Sequence, residues 1–181
     1  MATGQQKLIV LVGAVVASSL LHWIPLEEGT LYKPYSDAGF GPGVITYCSG
    51  VTYPPPIKGH TYTKEECEEI DNEAIYKHTK AFLSCVKVPV TNGQIVAGSL
   101  LFYNVGTSCN KTYIKRLNNG DGKEACKGIL LYKYVHRKNK RTGKMDTIDC
   151  SIRSNNCYGV FKRHVLEYNL CTEAIPLLGD T

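Results

Sequence analysis

Three acids stand after an apolar run. Glu27 and Glu28 close "LIVLVGAVVASSLLHWIPLEE", and Asp37 follows nine residues beyond Glu28. They could be solvated spacer residues, or they could contain the working pair of a glycoside hydrolase. That chemistry needs one carboxylic acid to protonate the leaving oxygen. A second carboxylate must activate water or meet the developing oxocarbenium charge. Surroundings must drive the two pKa values apart, with the acid in the drier place. Glu28 at the end of an apolar segment, and Asp37 in a glycine-rich turn, would supply that difference. Spacing alone does not choose between the readings, because acids at this interval are common.

The elements that would hold such a pair follow from the pattern downstream. Gly29 to Pro56 is rich in Gly, Pro and Tyr with β-branched pieces such as "VITYCSGVTY", which predicts short antiparallel strands joined by tight turns. At Thr63 the style changes: Thr63 and Glu66 form a capping box, and a long helix should follow. Acids crowd its first half and Lys or His its second, as the helix dipole prefers. Further helices are expected at "GQIVAGSLLFYNV", "KTYIKRLN", "KEACKGILLYKYV" and "YGVFKRHVLEYNLC". The polar stretch between the last two carries two cysteines and reads as an inserted loop or hairpin pinned by a disulfide. Strands first and helices after make an α+β domain with two lobes.

Composition narrows the class. A chain of 181 residues suits one compact domain after its N-terminal segment. Its eight cysteines are Cys48, Cys67, Cys85, Cys109, Cys126, Cys150, Cys157 and Cys171. None has the paired spacing of a zinc site and His is sparse, so no metal or cofactor is implied. An even count after an apolar N-terminus points to disulfides in an oxidising compartment. Connectivity stays open among about a hundred pairings; Cys150 with Cys157, and Cys126 with Cys171 between helices, are the pairs singled out. The net charge is +5, and Tyr132 to Lys144 holds six Lys or Arg and no acid. Such a run is either a solvated loop or a device that steers the domain toward an anionic wall or membrane surface. Nucleic acid is not an expected partner, since no reading helix is recognisable.

The N-terminal segment keeps three readings open. Leu8 to Leu26 carries no formal charge, and its most apolar part is ten residues, the length of a signal-peptide core. Small residues around Ala17 suit cleavage. Yet Leu20, Leu21, Trp23 and Ile24 extend the run toward the length that spans a bilayer. Gly13, Ala14, Ala17, Ser18 and Ser19 make insertion only weakly favourable, so the segment could enter a membrane and later leave it. Pro25 should end any helix near it. Cleaved signal, uncleaved anchor and core helix all remain.

The text "EEGTLYKPYSD…VITYCSG" resembles the phage-type lysozymes of glycoside hydrolase family 24, through Glu28-Gly29, Tyr32, Tyr35, Asp37 and Thr46. "TYTKEEC", "LFYNVG", "RLNNGDGKEAC" and "GVFKRHVLEYNLC" look like later blocks of that family in order. The chain is especially similar to lambdoid phage endolysins with a signal-arrest-release segment. The resemblance implies a lysozyme-like two-lobed domain, with an active-site cleft between a small antiparallel β lobe and a larger helical lobe. It places a signal-arrest-release or signal segment at 1–25, the catalytic domain at 26–175 with an inserted loop at 137–157, and a tail at 176–181. An active-site helix would begin where the apolar segment ends.

The implied activity is that of an endolysin-type muramidase acting with inversion on peptidoglycan. A non-catalytic peptidoglycan-binding module is the competing reading, and the presence of Glu28, Asp37 and Thr46 together weighs against it. By resemblance, Glu28 is the general acid, Asp37 stabilises charge and orients water, and Thr46 holds the attacking water. Asn104 lines the cleft or caps its helix before Gly106, Arg163 pairs with Glu28, and Glu27 points elsewhere. The implied protein is an exported monomer, tethered at the inner membrane and then periplasmic. Several positions depart from the family. The Asp37 to Thr46 interval is longer than usual, Val51 replaces a His, His164 replaces the second of two arginines, and Arg137 to Cys157 has no counterpart. Cys48, Cys67, Cys126 and Cys171 fall where related endolysins also have cysteines, whereas Cys85, Cys109, Cys150 and Cys157 are extra. No cysteine precedes Cys48, so blockage of the site by an anchor thiol is not expected.

Overall fold

The computed structural model describes residues 2–36, 44–139 and 141–179. Helices dominate, with two small antiparallel sheets. The chain runs α1 (Gly4–Val12), α2 (Ala14–Glu28), β1 (Leu31–Ser36), β2 (Ile45–Cys48), α3 (Lys64–Cys85), α4 (Asn92–Val105), α5 (Thr112–Asn118), α6 (Gly122–Ile129), β3 (Tyr134–Lys138), β4 (Met145–Asp149) and α7 (Tyr158–Cys171). Asp37 lies outside the described residues.

The apolar N-terminal segment is two helices built into the body. Gly13, at φ +82°, breaks it, a conformation that L side chains rarely adopt. Among the described residues no helix is long and apolar enough to cross a membrane. Helix α1 lies so close to α3 that a Cβ on Gly4 would stand 2.6 Å from the Glu73 nitrogen. Lys7 fixes that contact with an ion pair to Glu73 at 2.8 Å. Leu8, Val16, Ala17, Leu20 and Ile24 are buried with Ile75 of α3, Val96 and Leu100 of α4, and Leu170 of α7. The C-terminal residues close over the same core: Leu177 is buried in it, and Leu178 N–H donates to Ser19 Oγ at 3.0 Å.

Helix α2 does not stop at Pro25. It passes through that residue and closes at Glu28, with Gly29 N–H donating to the Pro25 carbonyl at 2.9 Å. A proline this near the end removes one helical hydrogen bond and leaves the last turn intact. The later part of the apolar segment and the expected active-site helix are therefore one helix, α2, which carries Leu20 and Ile24 and ends at Glu28.

A second core joins Phe82, Leu101, Phe102, Tyr113, Ile114, Leu117 and Ile129 around the Cys126–Cys171 disulfide. The β lobe has its own small core of Tyr47, Cys48, Val51, Tyr62 and Cys67, stapled by Cys48–Cys67. Cys85–Cys109 and Cys150–Cys157 complete the pairing, which leaves no free cysteine. The capping box at Thr63 starts α3, which runs to Cys85.

One expected helix is shorter than its text suggested. "KEACKGILLYKYV" is helical only to Ile129, and Tyr134 and Val135 open strand β3. Aromatic and β-branched residues favour the pleated chain, and Lys133 is drawn across the hairpin to Asp149 at 2.7 Å. The polar stretch beyond is the β3–β4 hairpin, with Cys150–Cys157 at its base.

Helix α4 crosses α3 closely because Gly98 faces Phe82: a Cβ there would stand 2.3 Å from the buried ring. Gly98→Ala should therefore cost about 1–3 kcal/mol through overpacking, read as a lower denaturant midpoint with an unchanged slope.

Candidate active site

Glu28 ends α2 with its side chain 19 % exposed, and its Oε1 lies 3.1 Å from Arg163 Nη1. The same guanidinium donates to Asn104 Oδ1 at 3.1 Å and to the Glu27 carbonyl at 3.3 Å. Arg163 thus caps the end of α2 and holds the carboxyl at once. Asn104 donates onward from Nδ2 to Glu167 Oε1 at 2.7 Å, and Glu167 Oε2 accepts from His164 Nδ1 at 2.7 Å. Glu167 and His164 are buried. The chain Glu28–Arg163–Asn104–Glu167–His164 joins α2, α4 and α7.

Burial pushes the Glu28 carboxyl above the ordinary glutamate range. Arg163 pulls it down, while Glu167 and Glu27 push it up. Desolvation outweighs the neighbouring cation here, which is the balance a proton donor needs.

The β lobe closes on Glu28 through the turn after β2. Gly50, at φ +86°, has its missing Cβ position 3.4 Å from Glu28 Oε2. Ser49 anchors this turn. Its N–H and hydroxyl donate to the two oxygens of Asp71 at 3.0 and 2.6 Å. Its carbonyl accepts from Tyr103 at 2.6 Å, and Thr30 Oγ1 is 3.0 Å from its hydroxyl. Burial raises Asp71 above the usual aspartate range, against the two Ser49 hydrogen bonds. Ser49 supplies these polar contacts, while Val51 packs in the β-lobe core and pairs its backbone with Tyr47.

Thr46 sits in β2 opposite Tyr35. It is buried, and among the described residues its Oγ1 has no hydrogen-bond partner. A groove of about 840 Å³ is lined by Gly50, Val51, Tyr53, His78, Tyr103 and Asn104 among others; it meets the site through Gly50 and Asn104, and Glu28 and Thr46 are not among its lining residues. Among the described residues no cluster could hold a metal ion.

The phage lysozyme family matches residues 26–146. The chain belongs to that family. The SAR-endolysin of Escherichia phage 933W is 33 % identical over 162 residues, covering 86 % of this chain and 84 % of its own. The solved endolysin from Escherichia coli O157:H7 phage FAHEc1 is 24 % identical with a TM-score of 0.68, covering 87 % of this chain and 92 % of its own. The active form of P1 phage endolysin Lyz shares the fold at 15 % identity and a TM-score of 0.65, over 97 % of each chain. The fold is lysozyme-like and α+β.

In this chain the structure brings Glu28, Arg163 and Asn104 together. Asn104 lies in the last turn of α4, with Gly106 as the cap, and its amide binds both Arg163 and Glu167. Asp71, Ser49, Tyr103 and Glu167 join the site without having been expected from the sequence. Two of these carried a signal. Asp71 falls on the buried stripe Cys67, Ile75, Thr79 of α3, and Glu167 falls with His164, Leu170 and Cys171 on that of α7. An acid on a buried stripe has a partner to find.

The network makes a signed prediction. In a carboxyl carbon-13 NMR titration, Glu28 should titrate above an ordinary glutamate. Arg163→Met should raise it further, and Glu167→Gln should lower it. An unchanged Glu28 titration in both variants would break the chain of contacts described here.

Proposed function

We propose that the protein is an endolysin-type muramidase. It hydrolyses the β-1,4 bond between N-acetylmuramic acid and N-acetylglucosamine in peptidoglycan, and thereby lyses a host cell wall. The observation that carries this reading is a single carboxyl, Glu28. Burial raises it despite an arginine partner, against the Gly50 turn that lines an open groove, in a chain of the phage lysozyme family.

Glu28 is the general acid: it protonates the leaving oxygen as the glycosidic bond breaks. Arg163 positions it. Asp37 enters by family resemblance alone, as the carboxylate that meets the oxocarbenium charge and orients water. Thr46 holds the attacking water, and its buried hydroxyl with no partner among the described residues supports that role. Asn104 keeps one amide hydrogen and one lone pair for the sugar after binding Arg163 and Glu167.

The N-terminal segment is exported uncleaved, tethers the chain at the inner membrane, and is later released into the periplasm. Support comes from the core. Cleavage near Ser18 would remove Leu8, Val16 and Ala17, all buried in it. Burying each large apolar side chain contributes roughly 1.5–3 kcal/mol, so docking re-covers the surface that the segment gives up on leaving lipid. A tethered chain has α2 in the bilayer, so Glu28 cannot reach Arg163 and the enzyme is off.

Glu28→Gln keeps the size but cannot give a proton, so clearing of outer-membrane-permeabilised Gram-negative cells should slow by at least about 100-fold. Glu27→Gln should keep most activity. Equal losses would refute the assignment of the acid.

Replacing Gly13, Ala14 and Ala17 with Leu should trap the protein in the membrane and delay lysis. Leu strains the φ +82° break at Gly13, and the added apolar area favours lipid. The soluble wild-type form should show full-length mass. A product that begins near Ser18 would refute arrest and release.

A further inference from the structure

The β3–β4 hairpin plays no part in the site above, yet it holds the charge of the whole molecule. Seven Lys or Arg and two acids lie between Lys133 and Arg153, and the rest of the chain carries fourteen of each, so the entire net +5 resides here. Both acids of the arm are engaged. Asp149 is paired with Lys133 at 2.7 Å, and Asp146 accepts from Asn139 at 2.8 Å. Arg137, Lys138, Arg141 and Lys144 are exposed. Among the described residues no carboxylate lies within ion-pair distance of them.

The arm is a shaped element. Asn139 orders its tip by accepting from the backbone N–H groups of Arg141 and Thr142 at 2.9 and 3.2 Å, and Cys150–Cys157 pins its base. The strands pack chiefly on each other. A two-stranded hairpin with little support is marginal, and this one also leaves apolar groups in water. Tyr134, Met145, Leu131 and Ile152 are 51, 61, 55 and 50 % exposed. Residues opposite one another in an antiparallel pair share a face, so Lys138 and Met145 stand together and Tyr134 joins them two steps along.

We propose that this hairpin is a docking arm for an anionic phospholipid surface, which holds the protein against a bilayer. The free cations face the headgroups, while Met145, Ile152 and Leu131 enter the boundary below them, with Tyr134 at the interface. An anionic wall polymer would satisfy the cations but offers no apolar layer for the exposed side chains.

The test is co-sedimentation of the full-length, disulfide-bonded protein with vesicles. One set contains phosphatidylglycerol and phosphatidylethanolamine, the other phosphatidylcholine alone. Each basic residue near an anionic leaflet contributes roughly five-fold to partitioning. Changing Arg137, Lys138, Arg141 and Lys144 to Glu should thus lower binding to anionic vesicles by at least about 100-fold. Lys138→Gln with Lys144→Gln should give an intermediate loss, and near-ultraviolet circular dichroism checks that both variants fold. Tyr134→Ser with Met145→Ser should weaken binding while leaving its salt dependence. Three results would overturn the proposal. They are equal binding to both vesicle sets, wild-type binding by the four-fold variant (the N-terminal helices then hold the lipid), and a larger loss of binding to purified wall sacculi than to anionic vesicles in the four-fold variant.

Discussion

Everything at the site depends on where helix α2 ends. The helix that carries Val16, Ala17, Leu20 and Ile24 into the main core is the helix whose last residue is Glu28. The carboxyl's backbone position is therefore that of the docked N-terminal segment, and Arg163 and the Gly50 turn meet it there. Gly4 against the α3 backbone, Lys7 on Glu73, and Ser19 beneath Leu178 all fix α1 and α2 far from the chemistry. Each contact therefore bears on where the Glu28 carboxyl stands.

What meets that helix end is electrostatic. Arg163 satisfies the Glu27 carbonyl and lies beside the Glu28 carboxyl, and Asn104 and Glu167 hold Arg163 from behind. An arginine this close would alone depress a carboxyl, yet burial outweighs it and Glu28 is raised. Opening the carboxyl to water would reverse that order. The Ser49–Asp71–Tyr103 cluster does parallel work on the other side, pinning the turn that brings Gly50 against the carboxyl.

Much of this was legible in the sequence, and the rest was not for definite reasons. The capping box at Thr63, the later helices and the strand text around Thr46 are local signals that tertiary contacts left standing. Glu28, Arg163 and Asn104 came from ordered motifs, and the structure brings them together. The continuity of α2 was hidden because Pro25 reads as a stop, and only packing shows that one lost hydrogen bond is tolerated a turn from the end. The α6 boundary was missed because "LLYKYV" has no breaker, and Lys133 is pulled into the hairpin by an aspartate sixteen residues away. Asp71 and Glu167 are ordinary acids in one-dimensional text. Their roles emerge only when α3, α4 and α7 are assembled. Asp37 rests on motif alone.

On the proposed function, docking of α1 and α2 is what places Glu28 to give its proton. It is tested most directly by measuring hydrolysis of soluble wall fragments by the same full-length protein in two states, inserted in lipid nanodiscs and free in solution. The inserted form should be at least about 100-fold slower, the loss expected when a general acid is missing, and should recover on release. Equal rates in the two states would contradict it.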